Sequence, residues 1–185
     1  MNWWRTAHHR FGPMPTSSWD GRRWVTDRMA DTQVATVIDV GPGEGTYSIL
    51  GRHLIWWAVW YGVEIFEPYV ERFGLGEKYD HVVVADIRDW KPELSDYLVI
   101  FGDVLEHLPK ADAVALIERH KDTATEIMVS VPIVYSPQGA CHGNDHEAHV
   151  HHWEFDEMDE LLPGAESFRG VQVGRWWWRR VQDDL

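Results

Sequence analysis

The chain has 185 residues, of which 44% are hydrophobic, and a formal net charge of −13. This size and composition predict a single globular domain, 1–185, and argue against overall disorder. The negative charge disfavours a protein that tracks nucleic-acid phosphates, and the single Cys141 excludes an internal disulfide and a multi-cysteine metal site.

No segment indicates a membrane span or a secretory signal. The longest apolar run, 54–66, is too short to cross a bilayer and contains Glu64. The N-terminus lacks the basic start, apolar stretch and small-residue cleavage site of a signal peptide. We therefore predict a cytoplasmic protein with no membrane partner and no nucleic-acid partner.

The first 33 residues form an extension to the predicted core. Glycine, proline and serine interrupt its beginning, and a helix is predicted at 21–31. Because the rest of the chain leaves no room for a separate substrate-binding domain, this extension is a candidate substrate lid.

From residue 34 onward, short β-branched runs alternate with helical segments, the pattern of a parallel sheet covered by helices. Strands are predicted at 34–40, 57–65, 81–86, 97–103 and 126–132. Helices are predicted at 46–54, 68–74, 110–122 and 154–162. The last segment, 166–182, is interpreted as two strands around a turn near Gly174.

The most informative segment is VIDVGPGEGTYSIL, 37–50, in which a buried strand runs through Gly41, Gly43 and Gly45 into a helix. Glycines at such a turn permit positive backbone dihedrals and allow a ligand to approach the main chain closely. The segment therefore predicts a nucleotide-like ligand.

Two features of this loop favour one class of nucleotide. A dinucleotide-binding loop would place its third glycine at Thr46. Asp39 and Glu44 would repel a pyrophosphate but suit a ligand with sulfonium and ammonium charges. The loop thus favours S-adenosylmethionine over NAD.

The motif DVGPGEG resembles the first motif of the class I S-adenosylmethionine-dependent methyltransferases, and the resemblance continues in register to the C-terminus. It implies an α/β fold with a Rossmann-like, doubly wound, mostly parallel sheet of seven strands, a C-terminal antiparallel hairpin and helices on both faces. It also implies a minimal catalytic core, 34–185, of the small-molecule type. The implied reaction is methyl transfer from S-adenosylmethionine to an oxygen or nitrogen of a small or medium-sized acceptor.

The resemblance implies a set of cofactor-binding residues. Glu64, at the end of the second strand, would bind both ribose hydroxyls, since a carboxylate accepts two hydrogen bonds from a vicinal diol; Glu67 is the nearby alternative. Asp86 would accept a hydrogen bond from the adenine amino group, with the amide of Ile87 beside it. The full predicted set is Asp39, Gly41, Gly43, Gly45, Glu64, Ile65, Asp86, Ile87, Gly102 and Asp103.

Candidate catalytic residues follow the fourth and fifth predicted strands. The segment YLVIFGDVLEHL resembles the family's fourth-strand motif, which implies that Gly102, Asp103 and His107 lie near the transferred methyl. We hypothesise that Asp103 or His107 helps to position the acceptor. The segment HGNDHEAHVHHW, 142–153, follows the fifth strand. Our hypothesis is that His149 or His152 in this segment takes the proton of an acceptor hydroxyl.

Three interpretations of the histidine-rich segment stay open at this stage. It is a polar loop that shapes the substrate pocket, a source of a general base, or a metal site formed by His142, His146, His149 and Glu147. The metal interpretation lacks a regular helical spacing, so no metal is assigned. For the whole chain, the alternatives are a non-catalytic binding or interaction module and an NAD-dependent oxidoreductase.

Overall fold

The computed structural model describes residues 18–181 of the chain. The strands are β1 Thr36–Val40, β2 Val59–Glu64, β3 His81–Val84, β4 Tyr97–Gly102, β5 Glu126–Pro132, β6 Glu166–Arg169 and β7 Val173–Arg179. The α-helices are α1 Arg22–Asp31, α2 Thr46–Gly51, α3 Pro68–Arg72, α4 Leu75–Lys78, α5 Lys110–Thr123 and α6 Phe155–Leu161. Within this range, no helix is both long and apolar enough to cross a membrane.

The strands form one sheet in the order β3-β2-β1-β4-β5-β7-β6. Strands β1 to β5 pair in parallel, whereas β7 is antiparallel to both β5 and β6. The direction of winding reverses between β1 and β4, and ligands bind at the carboxyl ends of the strands at such a reversal. The predicted seven-stranded, doubly wound class with its antiparallel C-terminal hairpin is confirmed.

Both faces of the sheet are covered, because successive side chains of a strand point to opposite faces. Trp176 of β7 packs in a buried cluster with Leu116 of α5 and Met158 of α6. The next residue, Trp177, belongs to the cluster on the other face, with Met29 of α1. Each face therefore has its own hydrophobic core, as the predicted three-layer arrangement requires.

The predicted turn near Gly174 is wrong. The turn lies at 170–172, and Gly174 is inside β7. A Cβ atom at Gly174 would lie 2.2 Å from the ring of Trp176. Glycine is therefore needed at this position for close packing of a tryptophan. In the sequence such a glycine looks the same as one that marks a turn.

The predicted N-terminal extension is described from residue 18, and residues 1–17 lie outside the described range. Its helix is observed as α1. The segment before α1 is fixed to the sheet by Arg175 of β7, which is fully buried. The Arg175 guanidinium donates hydrogen bonds to the carbonyls of Ser18 (2.9 Å) and Asp20 (2.7 Å).

Gly102, at the end of β4, packs closely against the ring of Tyr47. A Cβ atom there would lie 1.9 Å from the ring of Tyr47, whose hydroxyl accepts a hydrogen bond from Arg175 at 3.0 Å. Because the ring is held in place, we expect Gly102→Ala to lower the free energy of unfolding by about 1–3 kcal/mol, measured by urea denaturation. At Gly76 in α4 no atom lies within 4 Å of an added Cβ, so Gly76→Ala should leave the free energy of unfolding unchanged or raise it. Equal losses in both variants would contradict this explanation.

Candidate functional site

A cleft of about 1140 Å³ opens at the carboxyl ends of the parallel strands. One half, which we call the β1–β3 half, is lined by residues that end or follow β1, β2 and β3. The other, the β4–β7 half, is lined by residues that follow β4 and β5 and by the β6–β7 turn. The two halves meet at the winding reversal between β1 and β4.

The glycine loop forms the floor of the β1–β3 half. Gly41 (φ 55°), Gly43 (φ 50°) and Gly45 (φ 76°) all have left-handed backbone conformations, which only glycine adopts without strain. Gly41 and Gly43 line the cleft, whereas Gly45 lies outside its lining and caps the start of α2. Lys78 of α4 stabilises the loop by donating a hydrogen bond to the carbonyl of Glu44 at 2.9 Å.

Glu64 places a buried carboxyl group in the wall of the same half. It is the last residue of β2, is only 3% exposed and lies beside Ile65, which also lines the cleft. Its Oε1 accepts a hydrogen bond from the N–H of Phe66 at 2.8 Å. Burial raises the pKa of Glu64 to about 7, against the opposing effect of that hydrogen bond. A ligand that donates hydrogen bonds here would stabilise the ionised form.

The carboxyl group of Asp39 lies behind the loop and outside the lining of the cleft. Its Oδ2 accepts a hydrogen bond from the Tyr79 hydroxyl at 2.6 Å, and its buried Oδ1 has no hydrogen-bond partner within the described part of the chain. Burial raises the pKa of Asp39 to about 7, and the neighbouring charge of Glu64 adds to the increase. Asp39, predicted as a cofactor-binding residue, therefore does not line the cleft.

Asp86 and Ile87 follow β3 and line the far end of the β1–β3 half. The Asp86 carboxylate forms an ion pair with Arg88 at 2.5 Å, and Arg88 also binds Asp112 of α5 at 2.7 Å. The hydrogen bonds from Arg88 lower the pKa of Asp86. The predicted adenine-binding residues thus lie at the cleft, with one of them already fixed by an arginine.

Gly102 and Asp103 line the cleft where its two halves meet. Asp103 has an uncommon left-handed backbone (φ 58°), and its N–H donates a hydrogen bond to the carbonyl of Ser130 in β5 at 2.8 Å. The Ser130 hydroxyl donates to Asp103 Oδ1, also at 2.8 Å. Strand β5 therefore fixes the carboxylate at the edge of the cleft.

Two histidines face each other in the β4–β7 half. The rings of His107 and His149 are inclined at 68° to each other, with centroids 4.9 Å apart, and both line the cleft. Nδ1 of His107 lies 3.2 Å from the carbonyl oxygen of Ala148, and Nδ1 of His149 lies 2.6 Å from that of Ser136. Burial lowers the pKa of His107 to about 4, so this imidazole is neutral at pH 7.

The two histidines proposed as a base lie in different environments. His149 lines the cleft, whereas His152 lines only a smaller neighbouring pocket of about 430 Å³. Nε2 of His152 is 3.3 Å from a carboxylate oxygen of Glu154. The structure therefore brings Asp103, His107 and His149 to one cleft and places His152 beside it.

The sequence does not single out Glu106, which is 2% exposed and lines the cleft next to His107. Burial raises its pKa well above the ordinary range, and the charge of Asp103 adds to the increase. Its buried Oε2 has no hydrogen-bond partner among residues 18–181. The available signal is a second acidic residue three positions after Asp103, which is weak by itself because acids are also common at helix starts.

The metal set considered from the sequence is not assembled as a group. His142 is exposed on a left-handed turn residue (φ 52°), while His146 lies at the cleft. Among the described residues, the group that could hold a metal ion is instead Glu106, His107 and His149.

Several solved structures share this arrangement of sheet and helices. The N-terminal domain of EvdMO1, solved with SAH bound, superposes with a TM-score of 0.65 at 12% identity, over 89% of this chain and 83% of that one. The chain has the class I methyltransferase fold. The 1,6-didemethyltoxoflavin N1-methyltransferase of Burkholderia thailandensis, with its substrate and S-adenosylhomocysteine bound, gives 0.60 at 15% identity, over 87% and 77% of the two chains.

The N-methyltransferase NodS of Bradyrhizobium japonicum has the same methyltransferase fold, with a TM-score of 0.58 at 11% identity, over 87% of this chain and 95% of that one. No protein-family model matches the sequence, and no curated protein matches it significantly. The likeness to known methyltransferases therefore lies in the three-dimensional fold.

Proposed function

We propose that the protein is an S-adenosylmethionine-dependent methyltransferase that acts on an oxygen or nitrogen of a small or medium-sized acceptor. The observation that carries this proposal is that one cleft contains the left-handed glycine loop, the buried Glu64 carboxyl group and, opposite them, Asp103 and two histidines. The first two features suit a nucleoside ligand, and the others suit an acceptor with an exchangeable proton.

The cofactor would occupy the β1–β3 half. Glu64 would accept hydrogen bonds from the ribose hydroxyls and Asp86 one from the adenine amino group, and both residues line this half of the cleft. The carboxyl groups of this cleft favour a cationic ligand, and S-adenosylmethionine carries both a sulfonium and an ammonium group. The same charges disfavour NAD, whose pyrophosphate would lie beside them.

The acceptor would occupy the β4–β7 half. The volume of about 1140 Å³ exceeds the usual range for a single small ligand, so the cleft has room for a cofactor and a small acceptor together. The fold supplies the remaining wall from residues 18–20 and 171–173, which line the cleft from opposite ends of the chain. The contribution of residues 18–20 to this wall supports the proposal that the N-terminal extension covers the acceptor.

The cofactor supplies an activated methyl group on a sulfonium. The chain would catalyse its transfer chiefly by positioning, because holding two reactants in line contributes several kcal/mol without a special side chain. Asp103, fixed by Ser130, would orient the acceptor. A neutral imidazole in the β4–β7 half would accept a proton from an acceptor hydroxyl, and His149 is the predicted base that lies in the cleft.

Thermal unfolding in the presence of S-adenosylmethionine, S-adenosylhomocysteine and NAD tests the proposal. We expect the first two to raise the Tm and NAD to leave it unchanged, because a ligand that binds only the folded state stabilises it. Formation of S-adenosylhomocysteine with a panel of phenols, alcohols and amines then tests catalysis. Binding without turnover on any acceptor would favour the non-catalytic module, and stabilisation by NAD alone would favour the oxidoreductase.

The affinity for S-adenosylmethionine is expected to fall in acid. In the free protein the pKa of Glu64 is raised to about 7, and ribose hydroxyls donate to its ionised form, so binding requires loss of its proton. At pH 6 the affinity should be roughly tenfold below its value above pH 8. Calorimetry across this range checks this decrease in affinity, which Glu64→Gln should largely abolish. An affinity that increases in acid would contradict this account.

A further inference from the structure

Glu106, His107 and His149 form a compact group at the β4–β7 half of the cleft. Glu106 and His107 belong to the 3-10 turn Leu105–His107 after β4, and His149 belongs to the loop after β5. One potential ligand atom from each residue lies within 4.8 Å of the other two, and all three residues line the cleft. Two strand ends thus bring together side chains that are more than 40 positions apart in sequence.

The orientation of the two imidazoles leaves a lone pair on each. Nδ1 of His107 and Nδ1 of His149 each lie at hydrogen-bond distance from a backbone carbonyl, of Ala148 and Ser136 respectively. A carbonyl only accepts hydrogen bonds, so Nδ1 carries the proton and Nε2 carries the lone pair. Metal-binding histidines have this arrangement, in which the second nitrogen donates to a carbonyl that fixes the ring.

Glu106 provides an independent observation. Its side chain is almost completely buried, yet Oε2 has no hydrogen-bond partner among residues 18–181. The loop that carries His149 folds over it, because the N–H groups of Val150 and His151 both donate to the Glu106 carbonyl. Burying a carboxyl oxygen without a partner is costly unless a cation or a donor binds it.

We propose that Glu106, His107 and His149 bind a divalent transition-metal ion, with one carboxylate oxygen and two imidazole nitrogens as ligands. Two nitrogen ligands favour Zn²⁺, Co²⁺ or Fe²⁺ over Mg²⁺ and Ca²⁺, which prefer oxygen ligands. Three protein ligands leave coordination positions open toward the cleft. This set of ligands differs from the one considered from the histidine-rich segment, because only His149 belongs to both.

The open positions face the half of the cleft assigned to the acceptor, so a bound ion would favour acceptors that carry a hydroxyl group. An acceptor hydroxyl bound to the ion would lose its proton to solvent, as the ion stabilises the oxyanion. That oxygen would then bond to the methyl carbon while the carbon–sulfur bond breaks and its electron pair stays on a neutral sulfide. This step rests on the proposed function, whereas metal binding itself does not. His149 would then act as a ligand and not as a base.

Titration with Co²⁺ tests the site without S-adenosylmethionine or acceptor. Untagged protein treated with chelator and dialysed is expected to bind one Co²⁺ per chain, with visible absorption bands of a nitrogen-coordinated ion, and Zn²⁺ should displace it. Glu106→Gln and His149→Ala should each weaken Co²⁺ binding by more than about tenfold. His142→Asn removes an exposed histidine of the same loop at a left-handed position that asparagine tolerates, and it should bind Co²⁺ like the parent protein.

Thermal unfolding of each variant without metal shows whether it folds, and Glu106→Gln preserves the side-chain volume. Absence of stoichiometric Co²⁺ binding, or equal affinity in the parent and in folded Glu106→Gln, would overturn the metal site. Calorimetry with S-adenosylmethionine on the same samples separates the two proposals. Cofactor binding without metal binding overturns only the inference of this section, and metal binding without cofactor binding overturns only the proposed function.

Discussion

Replacing Glu64 with alanine is expected to weaken S-adenosylmethionine binding roughly 100-fold, which corresponds to about 3 kcal/mol. A carboxylate that accepts two ribose hydrogen bonds makes charge-assisted contacts, each stronger than a neutral hydrogen bond. Glu64 is 3% exposed, so water cannot replace the missing carboxylate as a hydrogen-bond acceptor without entering the wall of the cleft. Isothermal calorimetry at pH 8, where Glu64 is ionised in the parent protein, measures the effect.

Glu67→Ala is the matched control for Glu64. Glu67 is exposed at the start of α3 and lies outside the lining of the cleft, although the sequence leaves it as an alternative ribose ligand. It should bind the cofactor like the parent protein. Thermal unfolding without ligand checks that Glu64→Ala folds. A larger loss of affinity in Glu67→Ala than in Glu64→Ala would reverse the assignment.

Replacing His149 with alanine is expected to lower kcat by about 10² or more on an identified acceptor. If the imidazole is the base, its loss removes a proton acceptor that typically contributes about 10²–10⁴ to the rate. If it is a metal ligand, its loss weakens the ion that activates the acceptor. Both roles predict a decrease in kcat with little change in the dissociation constant of S-adenosylmethionine, because His149 lies in the β4–β7 half. Single-turnover kinetics with saturating cofactor measure the effect.

The metal content of the same His149→Ala protein distinguishes the two roles. Loss of a metal ligand lowers the metal content, whereas loss of a base leaves the metal content unchanged. His142→Asn serves again as the control from the same loop. His152→Ala should have a smaller effect than His149→Ala, because His152 lies beside the cleft and close to Glu154. A parental kcat in folded His149→Ala would exclude His149 from catalysis, and a greater loss in His152→Ala would transfer the role of base to His152.

Much of the fold could be predicted from the sequence because its signals are local. The runs 97–102 and 127–132 are almost entirely apolar, as is typical of strands buried on both faces of a sheet. The glycine pattern of 41–45 marks the turn from β1 to α2 because left-handed backbone at three alternate positions strongly favours glycine. Gly174 shows the limit of such signals. This glycine is required by close packing against a tryptophan, but in the sequence it cannot be distinguished from a glycine that marks a turn.

The sequence by itself determined the order of strands and helices, the doubly wound class and the loop at which a nucleoside ligand is proposed to bind. Only the tertiary structure decided which side chains share the cleft. It places His149 in the cleft and His152 beside it, leaves Asp39 outside the lining, and brings the buried Glu106 close to two histidines. The physical reason is that backbone conformation follows from neighbouring residues. The environment of a carboxyl or imidazole group depends on strands and loops that meet only after the chain has folded.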